Sequence, residues 1–127
     1  MKVLRRGEVE KRLLPGRALQ LVVGGEGAAS SSRAMTMGFA HYSAESGRME
    51  PHRHAEEVVL ILRCNNGWIR FGGFGERPEE MREPFALEEG MILHIPESEW
   101  HVFGYEENGY VDIAFFYGQG DIYSKRK

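Results

Sequence analysis

The hydrophobic positions of this chain fall in short runs separated by glycine, proline, asparagine and charged residues. Runs of about four to eight residues rich in valine, isoleucine, leucine and aromatic side chains are typical of β-strands. The predicted strands cover residues 17–23, 35–43, 57–62, 68–71, 85–87, 91–95, 99–105 and 110–117. No segment shows the sustained period of a long amphipathic helix. The pattern therefore predicts an all-β barrel or sandwich.

Turn signals separate these strands. Pro15-Gly16 divides an N-terminal arm, residues 1–14, from a single β-domain, residues 15–127. The arm is compatible with a short strand or a turn of helix. Asn65-Asn66-Gly67 predicts a hairpin between two strands, and residues 106–109 predict another turn.

Two longer segments, residues 24–32 and 72–84, have the composition of surface loops. The second carries charges of both signs, at Glu76, Arg77, Glu79, Glu80, Arg82 and Glu83. This cluster predicts a solvated loop, and a lid over a barrel mouth is the alternative.

Length and composition point to one folded domain. The chain has 127 residues, of which 42% are hydrophobic and 28% charged, which is close to the globular average. A net charge of −3 leaves no basic stripe for nucleic acid, since only residues 125–127 form a basic run. One cysteine, Cys64, precludes an intramolecular disulfide and is expected to be an ordinary thiol. With no apolar run of about 18 residues and no signal-peptide pattern, we expect a cytoplasmic protein without a membrane partner.

Metal-ligand chemistry is concentrated in two segments. His52 and His54 are two positions apart, so a strand would aim both at one point, and Glu56 and Glu57 follow them. His101 lies in a second segment and is the best candidate for a distant third imidazole. The alternative is that His52 and His54 are an exposed pair on a loop.

With these residues the sequence resembles the cupin superfamily. The first cupin motif is matched by Gly47, His52, His54 and a following glutamate, although its spacing is one residue shorter on each side of the histidine pair. Glu57 stands directly before an apolar strand, as the family's ligand glutamate does. The second motif keeps its spacing from Gly90 through Pro96 to His101, with Ser98 in place of a glycine and Tyr105 in place of an asparagine.

The resemblance implies a cupin double-stranded β-helix, a jelly-roll barrel. It also implies one divalent metal held by His52, His54, Glu57 and His101, with Glu56 as the alternative to Glu57. Three imidazoles and a carboxylate suit Mn, Fe, Co, Ni, Cu or Zn, and an octahedral ion would keep open positions. A cupin that has lost its metal is the remaining alternative.

Three other polar residues lie in predicted strands. His41 and His94 are expected to form local hydrogen bonds. Asp112 alternates with Val111 and Ile113, so it faces either solvent or the lumen. In the lumen it would be an acid or base, which makes Glu57 and Asp112 the catalytic candidates.

Cupins include isomerases, lyases, dioxygenases and binding proteins, so the fold does not name a reaction. The first expectation is a metal-dependent enzyme acting on a small polar metabolite such as a sugar, a keto acid or a hydroxy acid. The alternatives are a non-catalytic binding or sensing module and a metal-free barrel. The resemblance further implies a homodimer, with the arm covering an edge strand.

Overall fold

The computed structural model describes residues 1–72 and 80–119, and these are almost entirely β-structure. The short turns Arg6–Glu8 and Ala44–Ser46 are 3₁₀. No helix in the described ranges is long and apolar enough to cross a membrane. The strands are β1 (Arg12–Leu14), β2 (Arg17–Gly24), β3 (Ser30–Ser31), β4 (Thr36–Ser43), β5 (Glu57–Phe71), β6 (Phe85–Ala86), β7 (Ile92–Ile95) and β8 (His101–Tyr117).

The strands pair in the order β1-β2-β4-β8-β5-β6, with β3 added to β2 and β7 added to β5. Every pairing is antiparallel except the short contact between β2 and β3. The predicted all-β class is therefore confirmed, and the topology is consistent with a jelly roll. The hydrogen-bonded path does not return from β6 to β1.

Two predicted turns are instead irregularities inside long strands. β5 continues through Asn66 and β8 continues through Asn108, both at positive φ, 51° and 63°. The register between the two strands shifts at this level. Asparagine with a positive φ occurs in β-bulges as well as in hairpin turns. Because both strands continue through these positions, the predicted hairpin and the predicted turn at 106–109 were wrong.

The core lies on one face of the central strands. Alternate β8 residues Val111, Ile113 and Phe115 are at most 2% exposed, and they pack with Val59 and Ile61 of β5. This alternation places Asp112 on the opposite face of β8.

The N-terminal arm forms both of the elements that its sequence allowed. It contains the 3₁₀ turn Arg6–Glu8, followed by β1, which pairs with β2. The arm crosses the outer face of the sheet, where Arg6 bonds to Gln20 and Asp112. Residues 73–79 of the second predicted loop lie outside the described residues, and so does the basic run 125–127. The solvated loop and its alternative, a lid, both stay predictions.

Candidate metal centre

A backbone bridge brings the two histidine segments together. The amide of His52 donates to the carbonyl of His101 at 3.0 Å, and the amide of His101 donates to the carbonyl of His52 at 2.9 Å. The next turn is held by the Ser98 amide, which donates to the carbonyl of His54 at 2.8 Å. Ser98 adopts φ 67°, a conformation that favours glycine. This explains why the second motif has glycine where Ser98 stands.

The three imidazoles of His52, His54 and His101 converge. Each offers a ring nitrogen, and these nitrogens all lie within 4.8 Å of one another. The ring centroid of His52 is 4.4 Å from that of His101 and 5.0 Å from that of His54. The expected convergence of remote segments is therefore present in the fold.

Each ring has its Nδ1 bonded to a backbone carbonyl. The partners are Glu50 for His52 at 3.1 Å, Ala55 for His54 at 2.9 Å and Glu99 for His101 at 2.9 Å. A carbonyl oxygen only accepts, so each Nδ1 carries the proton and each Nε2 keeps its lone pair. Carbonyl partners of this kind fix the tautomer of metal-binding histidines.

Glu57 joins the cluster and Glu56 does not. A carboxylate oxygen of Glu57 lies 3.6 Å from Nε2 of His54 and 3.9 Å from Nε2 of His101. Glu57 is the first residue of β5 and is 6% exposed. Glu56 points outward instead, and its carboxylate lies 2.6 Å from Nε2 of His94. The geometry therefore favours Glu57 over the alternative glutamate.

Burial controls the charges of these four groups. It lowers the pKa of His52 to about 4 and that of His101 to about 3, and it also lowers the pKa of His54. Burial raises the pKa of Glu57 to about 7, against the opposing effect of a hydrogen bond from Tyr117. At neutral pH the imidazoles are uncharged, which is the form that binds a metal.

One buried atom of the cluster has no partner. Nε2 of His101 is fully buried and forms no hydrogen bond with any described residue. An unsatisfied buried polar atom is costly, and ligation of a cation would satisfy it. The donor set and this orphaned nitrogen both fit a divalent transition metal.

The cluster opens into a pocket of about 400 Å³ at one end of the barrel. Apolar side chains line its depth, including Phe103 and Phe115, and two arginines, Arg17 and Arg48, lie along it. Sequence reasoning missed Arg17. Its signal was the alternation of β2, which places Arg17 on the same face as the buried Leu19 and Leu21.

No protein-family model matches this sequence, and no curated protein matches it. Among solved structures, a protein from Planctomyces limnophilus is 12% identical, with a TM-score of 0.70 over 96% of this chain and 92% of that one. The polyketide cyclase RemF from Streptomyces resistomycificus is 17% identical, with a TM-score of 0.69 over 92% of this chain and 78% of that one. This chain has the cupin fold.

Another cupin structure shows how far the likeness extends. Bacillus subtilis oxalate decarboxylase, which has Mn(II) centres, is 12% identical to this chain, with a TM-score of 0.64. The alignment covers 94% of this chain but only 29% of the decarboxylase. The likeness is one of fold.

Asp112 lies outside the pocket of this cupin-fold protein. Its carboxylate is on the outer face of the sheet, bonded to Arg6 and to Nδ1 of His41. The prediction that Asp112 acts as an acid or base in the lumen was therefore wrong, because the lumen face of β8 carries Val111 and Ile113. His41 and His94 are both hydrogen-bonded, but their partners are the side chains of Asp112 and Glu56, which are remote in the sequence.

Proposed function

We propose that this cupin binds one divalent transition metal through His52, His54, Glu57 and His101. The observation that carries the proposal is the convergence of three Nε2 atoms whose rings are already oriented by carbonyl hydrogen bonds. Imidazole and carboxylate ligands suit Mn, Fe, Co, Ni, Cu and Zn. The Mn(II) centres of oxalate decarboxylase support a metal in a barrel of this fold.

We further propose that the pocket acts on a small polar metabolite. A bound ion would supply Lewis acidity and would lower the pKa of a bound water. The chain itself supplies uncharged imidazoles, apolar walls that exclude water, and Glu57. Because burial places the pKa of Glu57 at about 7, this carboxyl can hold or release a proton at neutral pH.

A second candidate is a non-catalytic binding or sensing module. Among the described residues that line the pocket, the carboxylates are Glu57 and the exposed Glu50. If Glu57 is occupied as a ligand, no second buried carboxylate in the described lining is left to transfer a proton. This observation favours binding without chemistry.

Metal content tests the first proposal. Purified wild-type protein is expected to bind close to one equivalent of Mn²⁺, Ni²⁺ or Zn²⁺ and to gain thermal stability on loading, since a ligand that binds only the native state stabilises it. His52→Ala should abolish both effects. His94→Ala is the matched control, because His94 is exposed and pairs with Glu56 outside the pocket. Stoichiometric loading of His52→Ala, or no loading of the wild type, would contradict the proposal.

Turnover separates an enzyme from a binder. Loaded wild-type protein and His52→Ala are screened against sugars, keto acids and hydroxy acids, with product detected by mass spectrometry. Turnover lost in His52→Ala supports the enzyme. Saturable binding without turnover supports the binding module.

A homodimer through the outer sheet face is also proposed. Val58 and Phe116 are paired in register on neighbouring strands and are 39% and 40% exposed, and Ile92 is 70% exposed. Exposed apolar side chains on one sheet face are typical of an interaction surface. Light scattering should give the mass of a dimer, and Phe116→Lys should give that of a monomer.

A further inference from the structure

Arg17 reaches the pocket from the first position of β2. It lies on the face of β2 that carries the buried Leu19 and Leu21, and it lines the pocket together with His52 and His54. Its charge lowers the pKa of His52, His54 and Glu57 alike. Arg17 therefore faces the same pocket as the histidine cluster.

The guanidinium of Arg17 lacks a carboxylate partner in the described part of the chain. Its one hydrogen bond there is a long contact of 3.4 Å from Nη1 to the carbonyl of Pro15. Arg48, the other arginine of the pocket, lies over the ring of Tyr105, 5.6 Å from its centroid. Most of the Arg17 guanidinium donors are therefore free of described protein partners and can reach a ligand.

This placement discriminates between classes of ligand. Covering a guanidinium with a sugar would remove its water without supplying an opposite charge, which is unfavourable. A carboxylate would accept two parallel hydrogen bonds from the planar guanidinium and neutralise its charge. Phe103 and Phe115 line the same pocket, and an apolar lining strengthens the attraction between opposite charges.

We infer that Arg17 selects a small carboxylic acid as the ligand of this pocket, with a 2-hydroxy or 2-oxo oxygen beside the carboxylate. The inference rests on the proposed metal function, because that second oxygen would face the histidine cluster. It separates acids from the sugars among the polar metabolites considered above. Inorganic phosphate also forms paired hydrogen bonds with a guanidinium, so it is the competing anion in the test.

The experiment is calorimetric titration of glycolate into Ni²⁺-loaded protein. Glycolamide is the uncharged probe of the same shape, and inorganic phosphate is the competing anion. The variants are Arg17→Gln, which removes the positive charge, and Arg17→Lys, which keeps the charge but cannot donate two parallel hydrogen bonds. Arg33→Gln is the matched control, because Arg33 is an exposed arginine that lines no described pocket.

Wild type and Arg33→Gln should bind glycolate better than glycolamide or phosphate. Arg17→Gln should weaken glycolate binding roughly 10- to 100-fold, as expected for a lost charged hydrogen bond, and Arg17→Lys should fall between. Ni²⁺ should bind Arg17→Gln at least as tightly as wild type, because a nearby cation has been removed. Equal glycolate affinity in Arg17→Gln and wild type, or preferred binding of glycolamide or phosphate, would overturn the inference.

A titration of metal-free protein separates the two proposals. If wild-type protein takes up none of Mn²⁺, Ni²⁺ and Zn²⁺, the metal function fails, and glycolate is then titrated into the metal-free protein and followed by NMR. Pocket resonances that shift with glycolate in wild type but not in Arg17→Gln would uphold the role of Arg17. No Arg17-dependent shift would overturn it.

Discussion

Arg6 and Asp112 lie 106 residues apart and form a bidentate ion pair, with two guanidinium nitrogens of Arg6 donating to the two carboxylate oxygens of Asp112 at 2.9 Å. The Asp112 side chain is 5% exposed. The Arg6 guanidinium also lies over the ring of Phe39, 4.3 Å from its centroid. One ion pair therefore fastens the N-terminal arm to the outer face of β8.

Removal of Arg6 should destabilise the fold. Arg6→Ala leaves a buried carboxylate without its charged partner, which should lower the free energy of unfolding by roughly 1–3 kcal/mol, as measured by urea denaturation at pH 7. Arg5→Ala is the control, because the Arg5 side chain is 80% exposed. Equal losses in the two variants would show that the ion pair contributes nothing specific.

The same pair predicts a pH dependence. Burial would raise the pKa of Asp112, but the hydrogen bonds from Arg6 and His41 hold it below its ordinary value. A carboxyl with a lowered native pKa contributes stability above its unfolded pKa and loses it as the pH falls through the native one. The difference between wild type and Arg6→Ala should therefore shrink below about pH 4, the ordinary value for aspartate.

Glu57 should make metal affinity depend on pH near neutrality. Its pKa of about 7 means that an incoming metal displaces a proton below pH 7, while His52, with a pKa of about 4, does not compete. Calorimetric Ni²⁺ affinity of the wild type should fall about tenfold per pH unit between pH 7 and 5, as expected for release of one proton. Glu57→Gln should bind more weakly at pH 8 and show a flatter profile.

Glu56→Gln is the control for this profile, because the neighbouring carboxylate pairs with His94 outside the pocket and should leave the slope unchanged. Metal-free protein gives a second readout. Since the native pKa of Glu57 lies above its ordinary 4.5, stability should decrease as the pH rises from about 4.5 to about 7. A profile for Glu57→Gln as steep as that of the wild type would assign the proton to another group.

Glycine at position 98 should stabilise the protein. Ser98 has φ 67°, where a side chain is disfavoured, so Ser98→Gly should raise the free energy of unfolding by roughly 0.5–1 kcal/mol. Ser31→Gly, in the exposed strand β3, should instead lower it slightly. Thermal denaturation of both variants measures the contrast, and a loss of stability in Ser98→Gly would mean that the hydroxyl matters more than the backbone.

Gly104 should not tolerate a side chain. It pairs across the sheet with Trp68, and a Cβ at position 104 would overlap the indole ring. Gly104→Ala should cost roughly 1–3 kcal/mol by overpacking, measured by denaturant unfolding, and Trp68→Leu in the same chain should recover part of this loss. Gly7→Ala is the control, because no atom lies within 4 Å of a Cβ there.

Local sequence was sufficient for the fold class and for the shared direction of His52 and His54. Strand periodicity shows which residues share a face, and the spacing of His52 and His54 has the same meaning in isolation as in the barrel. The assignment of His101 to the same site depended on the family resemblance, since no local pattern reports a contact between remote segments.

The features that were predicted wrongly depend on contacts with residues remote in the sequence, which a local pattern does not show. Asn65-Asn66-Gly67 supplies a positive φ, and only the pairing of β5 along β8 makes it a bulge instead of a hairpin. Alternation placed Asp112 opposite Val111 but could not say which face was the lumen. Asp112 instead contacts Arg6, on an arm more than a hundred positions away. Arg17 likewise lines its pocket together with residues that are remote in the sequence.

The long strand β8 has a consequence for biosynthesis. It pairs with both β4 and β5, joining Tyr117 to Thr36 and to Glu57, and it begins with His101. Before β8 emerges from the ribosome, the nascent chain has exposed apolar strand edges. It also has only two of the three imidazoles. Such non-local pairing slows folding and favours capture by chaperones. The ion would therefore be acquired only once β8 has emerged and paired, and it would not guide the early stages of folding.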